Sequence, residues 1–193
     1  MLTVYIDFKS PAAYLAMQPT LALATRLSLP LAWRPYKTVE RDVPKLGKEE
    51  TVGESHRRVR AASQRALAIK YAGHQGIDLR FPPKPGATDL ALGVLAEIDG
   101  HPLPYIQAAF SAYWDDHADL DDPEIVQKLV NQSGQLTVDE SAARESLEAA
   151  LQHADDAGIV GAPAYVIDNQ IFVGREHLPW IEQIAREKLA EET

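Results

Sequence analysis

The 193-residue sequence predicts a mixed α/β fold in which strands at both ends of the chain enclose a large all-helical insertion. Three observations predict it. The chain opens on an alternating apolar stretch that runs straight into a Ser-Pro helix start. It closes on two short apolar runs around an Asn turn, and the segments between read mainly as helix. The order is β-α-β, helices, then β-β-α.

Leu2 to Phe8 reads as a strand because Leu2, Val4, Ile6 and Phe8 alternate with Thr3, Tyr5 and Asp7. Ser10 then caps a helix over Ala12 to Leu29, with Pro11 at the first position, where a missing N–H breaks no helical bond. Pro30 to Tyr36 makes a second strand. Pro30 and Pro35 cannot donate to a ladder, which confines that strand to an edge or the prolines to its ends.

Glu49 to Gly73 reads as helix, with Arg57, Arg58, Arg60 and Arg65 on or near its solvent side. Pro82, Pro83 and Pro85 make Phe81 to Gly86 a loop. Helices follow over Thr88 to Ile98 and Leu103 to Trp114, and Asp122-Pro123 opens another. Thr137 to Glu140 matches a capping box ahead of an amphipathic run to Asp156. Ala164 to Asp168 and Gln170 to Val173 flank Asn169 as a hairpin, and Glu176 to Leu189 ends the chain as a helix. The domain reading is 1–37 with 157–193 around an insertion at 38–156.

Composition narrows the chemistry. A net charge of −9 argues against nonspecific binding to nucleic acid or anionic membranes, while leaving room for a local anion pocket. No stretch reaches the roughly 18 apolar residues of a membrane span, and Met1 leads into a strand rather than a signal segment, so the expected location is cytoplasmic. With no cysteine, protein disulfides, thiol nucleophiles, Cys-ligated zinc and iron–sulfur clusters are excluded. Any sulfur chemistry must use a thiol that arrives with a ligand. The acidic run Asp115 to Asp122 around His117 lacks a spaced ligand pattern and reads as a solvated loop. No metal site is expected.

Three segments carry a family resemblance: DFKSPAAYLA (Asp7 to Ala16), FSAYWDDHADLDDPEIV (Phe110 to Val126) and GIVGAPAYVIDNQIFVGREHLPWIE (Gly158 to Glu182). They resemble the DsbA-like thioredoxin-fold superfamily, in its branch of 2-hydroxychromene-2-carboxylate isomerases and kappa-class glutathione transferases. The resemblance implies a thioredoxin-like fold, Ser10 in the place of the first redox cysteine, and a cis Pro163 beside the active site. By itself, a proline at the first residue of a strand is simply tolerated. A cis bond would turn the Ala162 backbone toward Ser10 and leave it open to an extended peptide ligand.

The same resemblance implies glutathione as cofactor and a small aromatic 2-oxo-acid as substrate. Ser10 stands at a helix N-terminus, which favours an anion, and its Oγ would donate to the glutathione sulfur. A capping Ser accepts from a backbone N–H, so its own proton is expected to stay available. The implied reaction is cis–trans isomerisation through reversible thiolate addition. Kappa-type conjugation, or a noncatalytic protein that kept the cleft and lost glutathione, are the alternatives. A homodimer is compatible with the resemblance.

The match departs from its branch at two places: the loop Phe81 to Thr88 lacks the polar Asn-rich stretch expected near the ligand, and the segment after the last strand differs. Where the isomerases carry Asp-Arg after a glycine to hold the γ-glutamyl end, this chain reads Gly174-Arg175-Glu176-His177. Glu176 keeps the acid, and His177 replaces the fork of arginine. Without the resemblance, Glu176 reads as an acid complementing a helix N-terminus. Phe8, Tyr14 and Trp114 are candidate walls of the substrate pocket, though aromatics so spaced also suit a packed core.

Overall fold

The computed structural model describes residues 1–39, 51–134 and 138–191. Four strands, β1 (Leu2–Ile6), β2 (Leu31–Pro35), β3 (Ala164–Ile167) and β4 (Gln170–Val173), form one sheet in the order β2-β1-β3-β4. β1 runs parallel to β2 and antiparallel to β3, which in turn pairs antiparallel with β4. A parallel pair needs a crossover, and α1 (Pro11–Leu27) supplies it. The prolines place β2 as expected: it is an edge strand, and Pro35 is its last residue.

The alternation of β1 hides how deeply it is covered. Leu2, Val4, Tyr5 and Ile6 are all buried, so both faces of the strand are packed. On β3 the two faces separate by the strand period of two. Tyr165 reaches α1, where its hydroxyl and Thr20 Oγ1 lie 2.9 Å apart in a hydrogen bond. Its neighbours Ala164 and Val166 pack on the other face with Tyr5, Ala154 and Ile159. The β3–β4 turn uses two residues, Asp168 and Asn169, at φ 51° and 58°. Both adopt the left-handed backbone that a two-residue hairpin requires.

The helices are α2 (Val52–Gln75), α3 (Asp89–Glu97), α4 (Leu103–Trp114), α5 (Pro123–Gln132), α6 (Glu140–Asp156) and α7 (Leu178–Glu191). The chain divides into two compact units, residues 1–38 with 81–193, and residues 39–80. In the smaller unit α2 starts on a reciprocal capping box between Thr51 and Glu54, later than the expected Glu49, which lies outside the described residues. In the larger unit α3 and α6 pack on each other and on β2. A side chain at Gly93 would strike the Ala143 carbonyl, so the close approach of α3 to α6 requires glycine there.

One cap differs from the expectation. Glu140 is the first residue of α6, and the Asp139 carboxylate caps it by accepting from the Ser141 and Ala142 N–H groups. The aspartate satisfies two orphan donors at once. Thr137, the expected cap, lies outside the described residues. No helix among the described residues is long and apolar enough to cross a membrane.

Candidate functional site

Ser10 is the N-cap of α1, with extended backbone (φ −80°, ψ 114°), and its Oγ accepts from the Ala13 N–H at 3.2 Å. The Ser10 N–H donates to the Asp7 carbonyl at 3.0 Å, which tightens the strand-to-helix turn. The residue is only 7% exposed. Its hydroxyl proton, expected to be available, is committed: Oγ donates to the Ala162 carbonyl at 3.1 Å. A hydroxyl this buried must satisfy its donor as well as its acceptor, and Ala162 is the carbonyl within reach.

Ser10 and Ala162 are thus brought together, and the Ala162–Pro163 peptide bond is cis. Pro163 is buried, Ala162 half-buried. The first turn of α1 has few donors to offer an anion. Pro11 has no N–H, Ala13 serves Ser10 Oγ, and Tyr14 closes the first helical bond to the Ser10 carbonyl. Exposed Ala12 carries the remaining first-turn N–H.

Below Ser10 lies a residue that sequence reasoning treated only as strand. Asp7 is fully buried. Its carboxylate accepts from Thr38 N–H at 2.8 Å, Lys9 N–H at 3.2 Å and Thr88 Oγ1 at 3.2 Å. One side chain therefore ties the β1–α1 turn to the segment after β2 and to the N-cap of α3. Burial pushes its pKa above the ordinary 3.8, against the hydrogen bonds from Thr38 and Lys9, which lower it. An aspartate inside an otherwise strand-like run, just before Ser-Pro, was the available signal.

The aromatic candidates form a stack rather than an open wall. Phe8 meets Phe110 edge-on at 5.2 Å, Tyr14 stacks on Trp114 at 5.7 Å, and Trp114 Nε1 donates to the Phe8 carbonyl at 3.0 Å. Phe8 and Trp114 are buried, and Tyr14 alone of the three keeps partial exposure. Phe8 and Trp114, the expected pocket walls, are packed within the stack here, and a Trp with its N–H paired to the Phe8 carbonyl supports the Ser10 turn. Burial and the Asp115 charge raise the Tyr14 pKa. A cavity of about 260 Å³ does open nearby, lined by Lys84, Gly86, Tyr113, His117 and Asp119 among others. The sequence-predicted site residues do not line it.

Glu176 and His177 sit on a 3-10 turn, Arg175–His177, between β4 and α7. The turn is tied to the candidate site through Gly174, whose N–H donates to the Pro163 carbonyl at 2.8 Å. Gly174 has φ +102°, a backbone region that side-chain-bearing residues rarely adopt, so this position needs glycine; the exposed Glu176 carboxylate folds back over it. Glu176 is exposed, and His177 is half-buried with its ring 5.8 Å from that of Phe172. The acidic run after α4 serves as caps: Asp121 accepts from Leu90 N–H, and Asp122 from Glu124 N–H.

The sequence matches the family model for the DSBA-like thioredoxin domain over residues 1–185. Among solved structures, it resembles a 2-hydroxychromene-2-carboxylate isomerase at TM-score 0.68 and 19% identity, covering 99% of this chain and 96% of that one. A probable DsbA oxidoreductase from Streptomyces coelicolor gives 0.71 and 19%, covering 100% and 91%. The cytosolic disulfide reductase DsbM from Pseudomonas aeruginosa, solved with GSH, gives 0.60 and 13%, covering 98% of each chain. At these identities the likeness concerns the fold alone. No curated protein matches the sequence.

Proposed function

The chain belongs to the DSBA-like thioredoxin domain family, and from that premise we propose that it is a glutathione-dependent cis–trans isomerase of an aromatic 2-oxo-acid type substrate. One observation carries the reading. A cysteine-free chain keeps a serine hydroxyl at the cap of α1, hydrogen-bonded to the carbonyl of the residue before Pro163. Disulfide exchange needs a protein thiol, and this protein has none, so it is not a disulfide oxidoreductase.

The residues present fit glutathione by their donor chemistry. Ser10 O–H and Ala12 N–H are the donors for a sulfur anion, and the half-buried Ala162 backbone suits an extended peptide. Glutathione supplies the thiol that adds reversibly to a conjugated double bond. To hold that sulfur, the Ser10 O–H would exchange its neutral bond to the Ala162 carbonyl for a charge-assisted one roughly twice as strong. Such an exchange lowers the thiol pKa without adding a charged residue. Glu176 and His177 take the γ-glutamyl end, and Tyr14, the partly exposed aromatic, faces the substrate. We place the protein in the cytoplasm, where reduced glutathione is plentiful.

The test is ultraviolet titration of the thiolate with bound glutathione. Ser10→Ala is expected to raise the bound thiol pKa by about one unit or more, an interaction loss of roughly 1.4 kcal/mol. An unchanged pKa counts against the mechanism. A second reading, a binding protein that has lost glutathione, is favoured by the Glu176-His177 departure. It gains if millimolar glutathione leaves thermal stability unaltered. Kappa-type transfer differs by releasing the adduct, which product analysis distinguishes.

A further inference from the structure

Pro19 lies in the interior of α1. Its nitrogen carries no hydrogen, so the helical bond that residue 19 would donate to the Leu15 carbonyl cannot form. A donor arrives from the far end of the sequence: Arg175 Nη1 reaches the Leu15 carbonyl at 3.2 Å. One residue beyond the proline, Thr20 holds the buried Tyr165 hydroxyl. Polar contacts between α1 and the closing half of the chain therefore gather where the proline opens the helix. Guanidinium suits this place because it combines a long stem, a fixed planar array of donors and a permanent charge.

Arg175 also sits between Gly174, bonded to the Pro163 carbonyl, and the pair Glu176-His177. Ser10 is on the N-terminal side of Leu15 on the same helix. We infer that Arg175 is a positioning residue: by donating to the carbonyl to which Pro19 has no N–H to offer, it staples the turn bearing Glu176 and His177 to the helix bearing Ser10. The inference deepens the proposed function and rests on it for any effect at sulfur. The staple itself is independent of the ligand.

A double-mutant cycle in the full chain tests the staple. In Pro19→Ala, residue 19 regains an N–H for Leu15, so Arg175 becomes partly redundant. Arg175→Met is expected to lower Tm by roughly 4–8 °C in the parent, and by less than half of that beside Pro19→Ala. Additive losses overturn the inference. If Pro19→Ala does not fold, amide hydrogen exchange of Arg175→Met decides instead. Protection should fall together in residues 10–19 and 174–178, and a loss confined to 174–178 overturns it.

The positioning role has its own readout. Arg175→Met is expected to weaken glutathione binding severalfold and to raise the bound thiol pKa, and Arg175→Lys to recover at least half of each. A stability loss with unchanged affinity and unchanged thiol ionisation overturns the role. A parent protein that binds no glutathione sinks the proposed function, while the cycle still decides the staple.

Discussion

The turn that carries Ser10 and the turn that carries Glu176 and His177 meet at the same two residues, Ala162 and Pro163, yet they are built differently. Ser10 hangs on the Ala162 carbonyl, and Gly174 on the Pro163 carbonyl. Beneath Ser10, Asp7 draws three donors together and Trp114 clamps the Phe8 carbonyl, every one of these side chains being buried. The Glu176 side chain is exposed and packs back on its own turn. One turn is rigid because its polar groups are desolvated and must stay paired. The other is held through its backbone and through Arg175, leaving Glu176 exposed and His177 half-buried. In the proposed enzyme this division puts the reacting sulfur on the fixed side and ligand selection on the adjustable side.

Truncation beneath Ser10 should give the largest effect. Trp114→Ala removes a buried ring and leaves the Phe8 carbonyl unpaired, a loss of about 3–5 kcal/mol in urea unfolding. A loss below about 1 kcal/mol would show that the aromatic stack does not support this turn.

Next comes Asp7→Asn. The amide can still accept from Lys9 and Thr88 but presents N–H to the Thr38 N–H, so a loss of about 1–3 kcal/mol is expected near neutral pH. The sign of the pH dependence follows from the raised pKa. Above the ordinary value of 3.8 the folded state holds the Asp7 proton more tightly than the unfolded chain, so this group's contribution declines as pH rises through the folded pKa. Asparagine has no such slope. The gap between parent and variant should therefore be widest at acid pH and narrow as pH rises; a gap that widens instead would mean Asp7 is stabilised as the anion.

The smallest stability effect belongs to the exposed turn. Glu176→Gln should move Tm by less than about 2 °C, yet weaken glutathione binding severalfold. Should it destabilise the protein as much as Asp7→Asn, the contrast between the two turns fails.

Much of this was legible before any coordinates. Ser10-Pro11, Asp122-Pro123 and the Asn169 turn are local devices, and local devices announce themselves in a few neighbouring residues; the turn also takes Asp168, expected in the strand. Pro30 and Pro35 confined β2 to an edge or themselves to its ends, because a missing N–H is a property of the residue itself, and β2 is an edge strand ending at Pro35. The α6 cap is Asp139, one carboxylate oxygen of which accepts from both the Ser141 and the Ala142 N–H, a pairing that the pattern of a capping box does not register.

The sequence by itself determined which chemistry is closed to this protein, since a chain without sulfur nucleophiles cannot acquire them by folding. It also determined the strand and helix order, which depends on periodicity and caps. Only the tertiary structure decided where the Ser10 proton goes, that Asp7 is a buried junction, that Phe8 and Trp114 are buried, and that Arg175 meets the Leu15 carbonyl from 160 residues away in the chain. Those are matters of which donor meets which acceptor after burial. Such partners lie far apart in the chain, and no local pattern encodes the meeting.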